Sequence, residues 1–164
     1  MPLRGQQSPI VDPYDFKILT ELQADGSLSN QEIADRIGLS ASPCSRRIRA
    51  LEGRGIITEK VVRLSAAKLG LDLTVLIHIR MDRHTPERFD NFEKIVAGYP
   101  EVQECYLITG QDADYQLKAV VPSMDEYQQF LLNKITRIDG VIGVHSSFVL
   151  RKSVDTTRLP LTYI

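Results

Sequence analysis

Near residue 60 the apolar residues change period, and this change limits the chain to two differently built units. Before it they recur three and four apart, the spacing of one helix face; after about residue 70 they alternate with other residues between further helical stretches. One repeat cannot serve both a helix and a strand, so the chain reads as α+β, helical first and mixed afterwards. Its 164 residues suffice for two small domains. The 43% hydrophobic and 25% charged content argues against wholesale disorder. The longest apolar run, 73–79, is broken by Thr74 and His78 and falls far short of the roughly 20 residues of a membrane span. Lys and Arg total 20 against 21 Asp and Glu, a net charge of -1 that excludes a wholly basic nucleic-acid coat but not a local basic patch. Residues 1–11 lack the apolar core of a signal peptide, and only Cys44 and Cys105 are present. Both features predict a cytoplasmic protein with reduced thiols rather than a disulfide scaffold.

Residues 1–11 are expected to form a flexible arm. Asp12 then stands as an N-cap before Pro13, with Phe16, Ile18, Leu19 and Leu22 at helical spacing and Asp25-Gly26 as the stop. Ser29 and Glu32 have capping-box spacing, Ile33, Ala34 and Ile37 form one face, and Gly38 ends this second helix. A third begins at Ser42-Pro43, buries Cys44, Ile48 and Leu51, and stops at Gly53 or Gly55. Three short helices with a four-residue turn before the last predict a helix-turn-helix unit over 12–58. The β-branched stretch 56–64 is expected to form a wing or connecting strand, with 59–70 as hinge.

From residue 71 the reading is strand, helix, strand, strand, helix, strand. Leu71 to Met81 alternate; Thr85-Pro86 opens a helix with Phe89, Phe92, Ile95 and Val96 inward. Strands 102–109 and 115–121 flank Gly110, Ser123 and Glu126 start a helix that Gly140 ends, and 141–150 is the last strand. That order is the βαββαβ, ferredoxin-like sandwich, assigned to 71–152, with 153–164 as a tail. Both helices then lie on one face of the sheet, and a second copy of the chain is the economical cover for the other.

The third helix carries Arg46, Arg47 and Arg49, with Arg54 just beyond it. At 100° per residue Ser45, Arg46 and Arg49 point away from Cys44, Ile48 and Leu51. Arginines that reach guanine edges or phosphates, together with small hydroxyls at Ser42 and Ser45 near the helix start, are the equipment of a DNA recognition helix. Residues 1–60 hold eight basic and eight acidic side chains, the acids mostly on the first two helices, so charge is separated by face.

These residues carry a resemblance. The stretches 15–19, 33–40 and 42–44 with Arg47 and Leu51-Glu52, followed by 55–57, resemble the winged helix-turn-helix of the Lrp/AsnC family of transcription regulators. Residues 102–106, Thr109-Gly110, Asp114-Tyr115 and Val121-Pro122 resemble its ligand-sensing domain, and 156–161 its usual ending. The resemblance spans roughly 12–152. It implies a regulator of double-stranded DNA that forms homodimers, assembling further to tetramers or octamers, and takes a small effector, usually an amino acid, with no cofactor. DNA contact is expected from Ser40, Ser42, Ser45, Arg46, Arg47, Arg49 and Arg54, with specificity from Ser42, Ser45, Arg46 and Arg49 and positioning by Arg47 and Arg54. Carried over by position from the family, effector contact falls to Leu107, Thr109, Gly110, Asp112, Asp114, Met124 and Ser146. The family commonly has two residues between the turn glycine and the Asp-Tyr pair, where this chain has Gln111, Asp112 and Ala113; whether Asp112 or Asp114 meets a ligand ammonium stays open. The alternative is an architectural DNA binder whose second domain serves only to oligomerise. An enzyme is not expected: His78, His84 and His145 lack metal-ligand spacing, Glu104 and Glu126 form no acid pair, and no nucleotide-binding glycine motif is present.

Overall fold

The computed structural model describes residues 11–110 and 112–163, so the expected arm at 1–10 lies outside the described residues. Among the described residues two compact units result: one of 11–63 together with 154–163, and one within 64–153. Val11, expected in the arm, is instead buried in the first unit's core.

In the first unit, α1 (Pro13–Ala24) starts at an Asp12 cap that accepts from the N–H groups of Tyr14 and Asp15. α2 (Asn30–Ile37) has the full Ser29–Glu32 capping box and ends at Gly38, whose φ of 73° takes the left-handed turn that L side chains resist. α3 (Ala41–Gly53) starts two residues earlier than expected, with Ser40 as its N-cap. Pro43 is tolerated there because the first turn's N–H groups have no intrahelical partner to lose. Ile18, Ile33, Cys44, Ile48 and Leu51 are almost wholly buried together. The β-branched stretch forms no ladder: Ile56 and Ile57 pack on the helical core, while Val61, Val62 and Leu64 are exposed, with no regular secondary structure. A strand needs a partner edge, and among the described residues none pairs with 56–64.

The second unit is the expected sandwich. β1 (Leu73–Met81), α4 (Pro86–Val96), β2 (Val102–Leu107), β3 (Tyr115–Val121), α5 (Met124–Asn133) and β4 (Val141–Phe148) follow in chain order. The strands lie β2-β3-β1-β4, every neighbouring pair antiparallel. Phe92 and Val96 of α4, with Tyr127 and Phe130 of α5, close over Val75, Ile77, Ile79, Tyr115, Leu117 and Ala119. Thr74, Leu76 and His78 of β1 and Gln116, Lys118 and Val120 of β3 alternate with those buried positions and form the other, half-exposed face.

Candidate functional site

Along α3 the side chains sort by face. Cys44, Ile48 and Leu51 are buried, whereas Ser42, Arg46 and Arg49 are exposed, as are Ser40 before the helix and Arg54 at its C-cap. The Ser40 hydroxyl makes no capping bond, which leaves it available at the helix start. Ser45 is half-buried and accepts from Asn30 Nδ2 at 3.3 Å.

Arg47 is engaged within the protein. Its Nη1 lies 2.5 Å from Asp12 Oδ2 and 2.8 Å from Asp15 Oδ1, and its Cζ lies 5.5 Å from the centroid of the Tyr14 ring. These bonds to Asp12 and Asp15 raise the guanidinium further above its ordinary range. The Asp15 N–H, and after it Arg47, hold the Asp12 carboxyl below its own. Position 47 sits on the flank of the buried stripe, turned toward the start of α1. It ties α3 to α1 instead of lying with Arg46 and Arg49 on the outward face.

In the second unit, the loop between β2 and β3 is closed by Ile108 N–H donating to Asp114 O and Asp114 N–H donating to Ile79 O, both at 2.8 Å. Asp114 then uses both carboxylate oxygens internally: Oδ2 accepts from Met81 N at 2.7 Å and Oδ1 lies 2.8 Å from His84 Nε2. Asp112 is exposed. A cleft of about 270 Å³ opens between this loop and the one after β1, lined by Arg80 to His84 on one side and Gly110, Asp112, Ala113 and Asp114 on the other. Asp82 is held by Arg88, which also binds Asp139. The exposed Arg80, Arg83 and Asp112 give the cleft charges of both signs, complementary to a zwitterion.

Of the expected effector residues, Gly110, Asp112 and Asp114 line this cleft, and Thr109 and Leu107 lead into the same loop, both exposed. Met124 and Ser146 do not join them within one protomer. Met124 follows the far end of β3, where Val121 pairs with Leu73, whereas the loop precedes the near end, where Tyr115 pairs with Ile79. Ser146 lies midway along β4, opposite Ile77, with its hydroxyl against that of Tyr127. Arg80, Arg83 and His84 are additions that sequence reasoning passed over. The charged run 80–84 after an apolar strand was the available signal, because the split βαβ order sets the end of β1 beside the start of β3.

A helix-turn-helix with an outward arginine face, joined to an αβ unit with an open polar cleft, defines the class of two-unit transcription regulators that pair DNA binding with ligand binding. Residues 11–58 match a family model described as winged helix-turn-helix DNA-binding, and residues 74–159 match one described as Lrp/AsnC ligand binding domain. The chain belongs to the Lrp/AsnC family of transcription regulators. It is a DNA-binding regulator with an effector domain, not an enzyme. The leucine-responsive regulatory proteins of Klebsiella pneumoniae and Escherichia coli K12 are each 38% identical to it over 149 residues, 91% of this chain and 90% of theirs. A transcriptional regulator from Neisseria meningitidis, solved as an L-Met complex, is 37% identical with a TM-score of 0.89, over 93% of this chain and 98% of that one. An AsnC family regulator from Agrobacterium tumefaciens is 38% identical with a TM-score of 0.88, over 94% and 99%. Among the described residues no helix is long and apolar enough to cross a membrane.

Proposed function

We propose that the protein reads duplex DNA sequence-specifically through α3 and that an amino acid bound at the cleft beside Asp112 changes its DNA affinity or assembly. The carrying observation is the exposed row Ser42, Arg46 and Arg49 opposite the buried Cys44, Ile48 and Leu51. Side chains on that row can enter a major groove without disturbing the core. Ser40 and Arg54, at the two ends of α3, and Ser45 beside them fit contacts to the flanking backbone. Arg47 acts in this scheme by holding α3 against α1. Asp112 offers the acceptor for an α-ammonium, and the exposed Arg80 and Arg83, with the loop's backbone N–H groups, offer donors for a carboxylate. The L-Met complex of the Neisseria meningitidis relative supports an amino acid as the effector class. Asp114, occupied by Met81 and His84, shapes the loop. Leu107, Thr109, Met124 and Ser146 complete the site only where a second copy of the chain brings the two ends of the sheet together. A homodimer, assembling to tetramers or octamers, is therefore part of this proposal.

The test uses a duplex recovered from a randomised pool, followed by fluorescence anisotropy. Arg46→Ala and Arg49→Ala each weaken binding about ten- to a hundredfold and relax the preference at one base position. Parent-like binding by both variants overturns the assignment of α3. A footprint that spreads without base preference favours the architectural reading instead. A thermal-shift screen of the twenty amino acids, begun with L-methionine and L-leucine, tests the cleft: a bound ligand raises the melting temperature by mass action, and Asp112→Ala abolishes the shift. A shift untouched by Asp112→Ala removes that residue from the site.

A further inference from the structure

After Ser153 the chain leaves the αβ unit, and residues from 154 onward return to the DNA-binding unit. Their attachment there is specific. The Gln23 side chain embraces the peptide of Leu159, accepting from its N–H at 2.6 Å and donating to its carbonyl at 3.3 Å, as one rung of a strand ladder would. The Arg158 guanidinium donates from Nε to Gln23 O at 3.2 Å and from Nη2 to Ala24 O at 3.5 Å. Those are carbonyls of the last turn of α1, which have no acceptor role inside the helix. Leu161 packs against the helical core, and Arg63 Nη2 lies 2.6 Å from Asp155 Oδ1, pairing the residues beside the two points where the chain passes between units. α1 is in turn fixed to its neighbours: Arg36 to Glu21 at 2.9 Å ties it to α2, and Arg47 to Asp12 and Asp15 ties it to α3.

We propose that Gln23 and Arg158 are positioning residues for DNA binding. They clasp residues 158–161 to the end of α1, so that two connections rather than one hold the unit that carries α3. The inference rests on α3 being the reading helix. Neither residue touches DNA in this scheme. Their effect is to restrict the orientations of the reading unit before it meets the duplex, which lowers the ordering cost of engaging two half-sites together. The clasp is built from solvent-facing hydrogen bonds and is therefore reversible, so that tail and reading unit can part without unfolding.

The full chain serves for the test, with Gln23→Ala, Arg158→Ala and Arg158→Lys. In the parent, trypsin cuts slowly after Arg158; in Gln23→Ala, mass spectrometry finds that bond cut about fivefold faster or more, as a released segment is, with cleavage inside the αβ unit unchanged. Both alanine variants bind the selected duplex about three- to tenfold more weakly, but the slope of log affinity against log salt stays that of the parent, since no phosphate contact is lost. Arg158→Lys, which keeps the charge but not the fork, falls between them. Parent-like affinity with the tail released overturns the proposal. So does a slope reduced by about one in Arg158→Ala while Gln23→Ala binds normally, because Arg158 would then be a phosphate ligand. A parent chain that binds no duplex at any salt overturns the underlying assignment of α3 and this proposal with it, a result distinct from both.

Discussion

Arg47 stands between the buried and the exposed stripes of α3, and its two carboxylate partners both belong to the start of α1. Asp15 is itself buried, so removing the guanidinium strands a carboxylate with little access to water. Arg47→Ala is expected to lower the melting temperature of the DNA-binding unit by several degrees, and Arg47→Lys to recover only part, because a compact, strongly hydrated ammonium replaces the planar guanidinium that meets both acids and lies near the Tyr14 ring. The pH dependence has a definite sign. Folding holds the Asp12 carboxyl below its ordinary 3.8, so its ionised form contributes stability that is complete above that value and is lost as the pH falls through the depressed one. Arg47 stays charged throughout that window. Melting curves from about pH 5 down to about pH 2.5 check this: the parent loses stability more steeply than Arg47→Ala, which keeps only the contributions of the Asp15 and Tyr14 N–H groups. At Cys105, exposed at its edge of the sheet, partial desolvation by neighbouring atoms and then the charge of Glu93 push the thiol up to about 11, so it remains a thiol at neutral pH.

At the scale of elements, starts were more legible than ends. Asp12-Pro13, Ser29 with Glu32, and Thr85-Pro86 each announce a helix because capping is local, decided by side chains within three residues of the groups they bind. Ends depend on what packs later. The helix expected to run to Gly140 stops at Asn133 and continues as a short 3₁₀ turn, Ile135–Arg137, which sets Ile135 and Ile138 into the core. The stretch 56–64 has strand composition without a strand, because composition states a preference and only a neighbouring edge satisfies it. Gly140 itself was legible as a stop but not as a contact. Its φ is 93°, and a β-carbon there would lie 2.5 Å from Arg88 Cδ and 2.9 Å from Asp82 Oδ1. Gly140→Ala is therefore strained twice, in backbone and in space, and displaces the Arg88 network that steadies one wall of the cleft. The expected cost is about 1–3 kcal/mol in chemical denaturation of the αβ unit. A parent-like midpoint would show that Arg88 swings aside freely.

For the whole molecule, sequence patterning gave the two units and their order but not the return of residues 154–163 to the first, since Gln23 and Leu159 lie far apart in sequence and carry no periodic signal. The uncovered face of the sheet was legible, because alternation in β1 and β3 assigns it residue by residue. It is mixed: Leu76 and Val120 lie among Thr74, Gln116, Lys118 and the His78–His145 pair, whose ring centroids are 6.3 Å apart. In a two-fold dimer formed through this face each residue meets the same patch on its partner, so one substitution acts twice. Leu76→Asp tests that arrangement. Within a protomer the new carboxylate is half-exposed and lies across from Lys118, its register partner on β3, so the fold should tolerate it. Across a dimer two such carboxylates are brought together and desolvated, which opposes association. Sedimentation at micromolar concentration should find monomers with parent-like circular dichroism. Duplex affinity should fall by orders of magnitude, since one recognition helix then binds without the other. A variant that still sediments as the parent does would move the interface elsewhere. One that is monomeric yet binds the duplex undiminished would show that the two half-sites are read independently, and the pairing of subunits would then serve the effector alone.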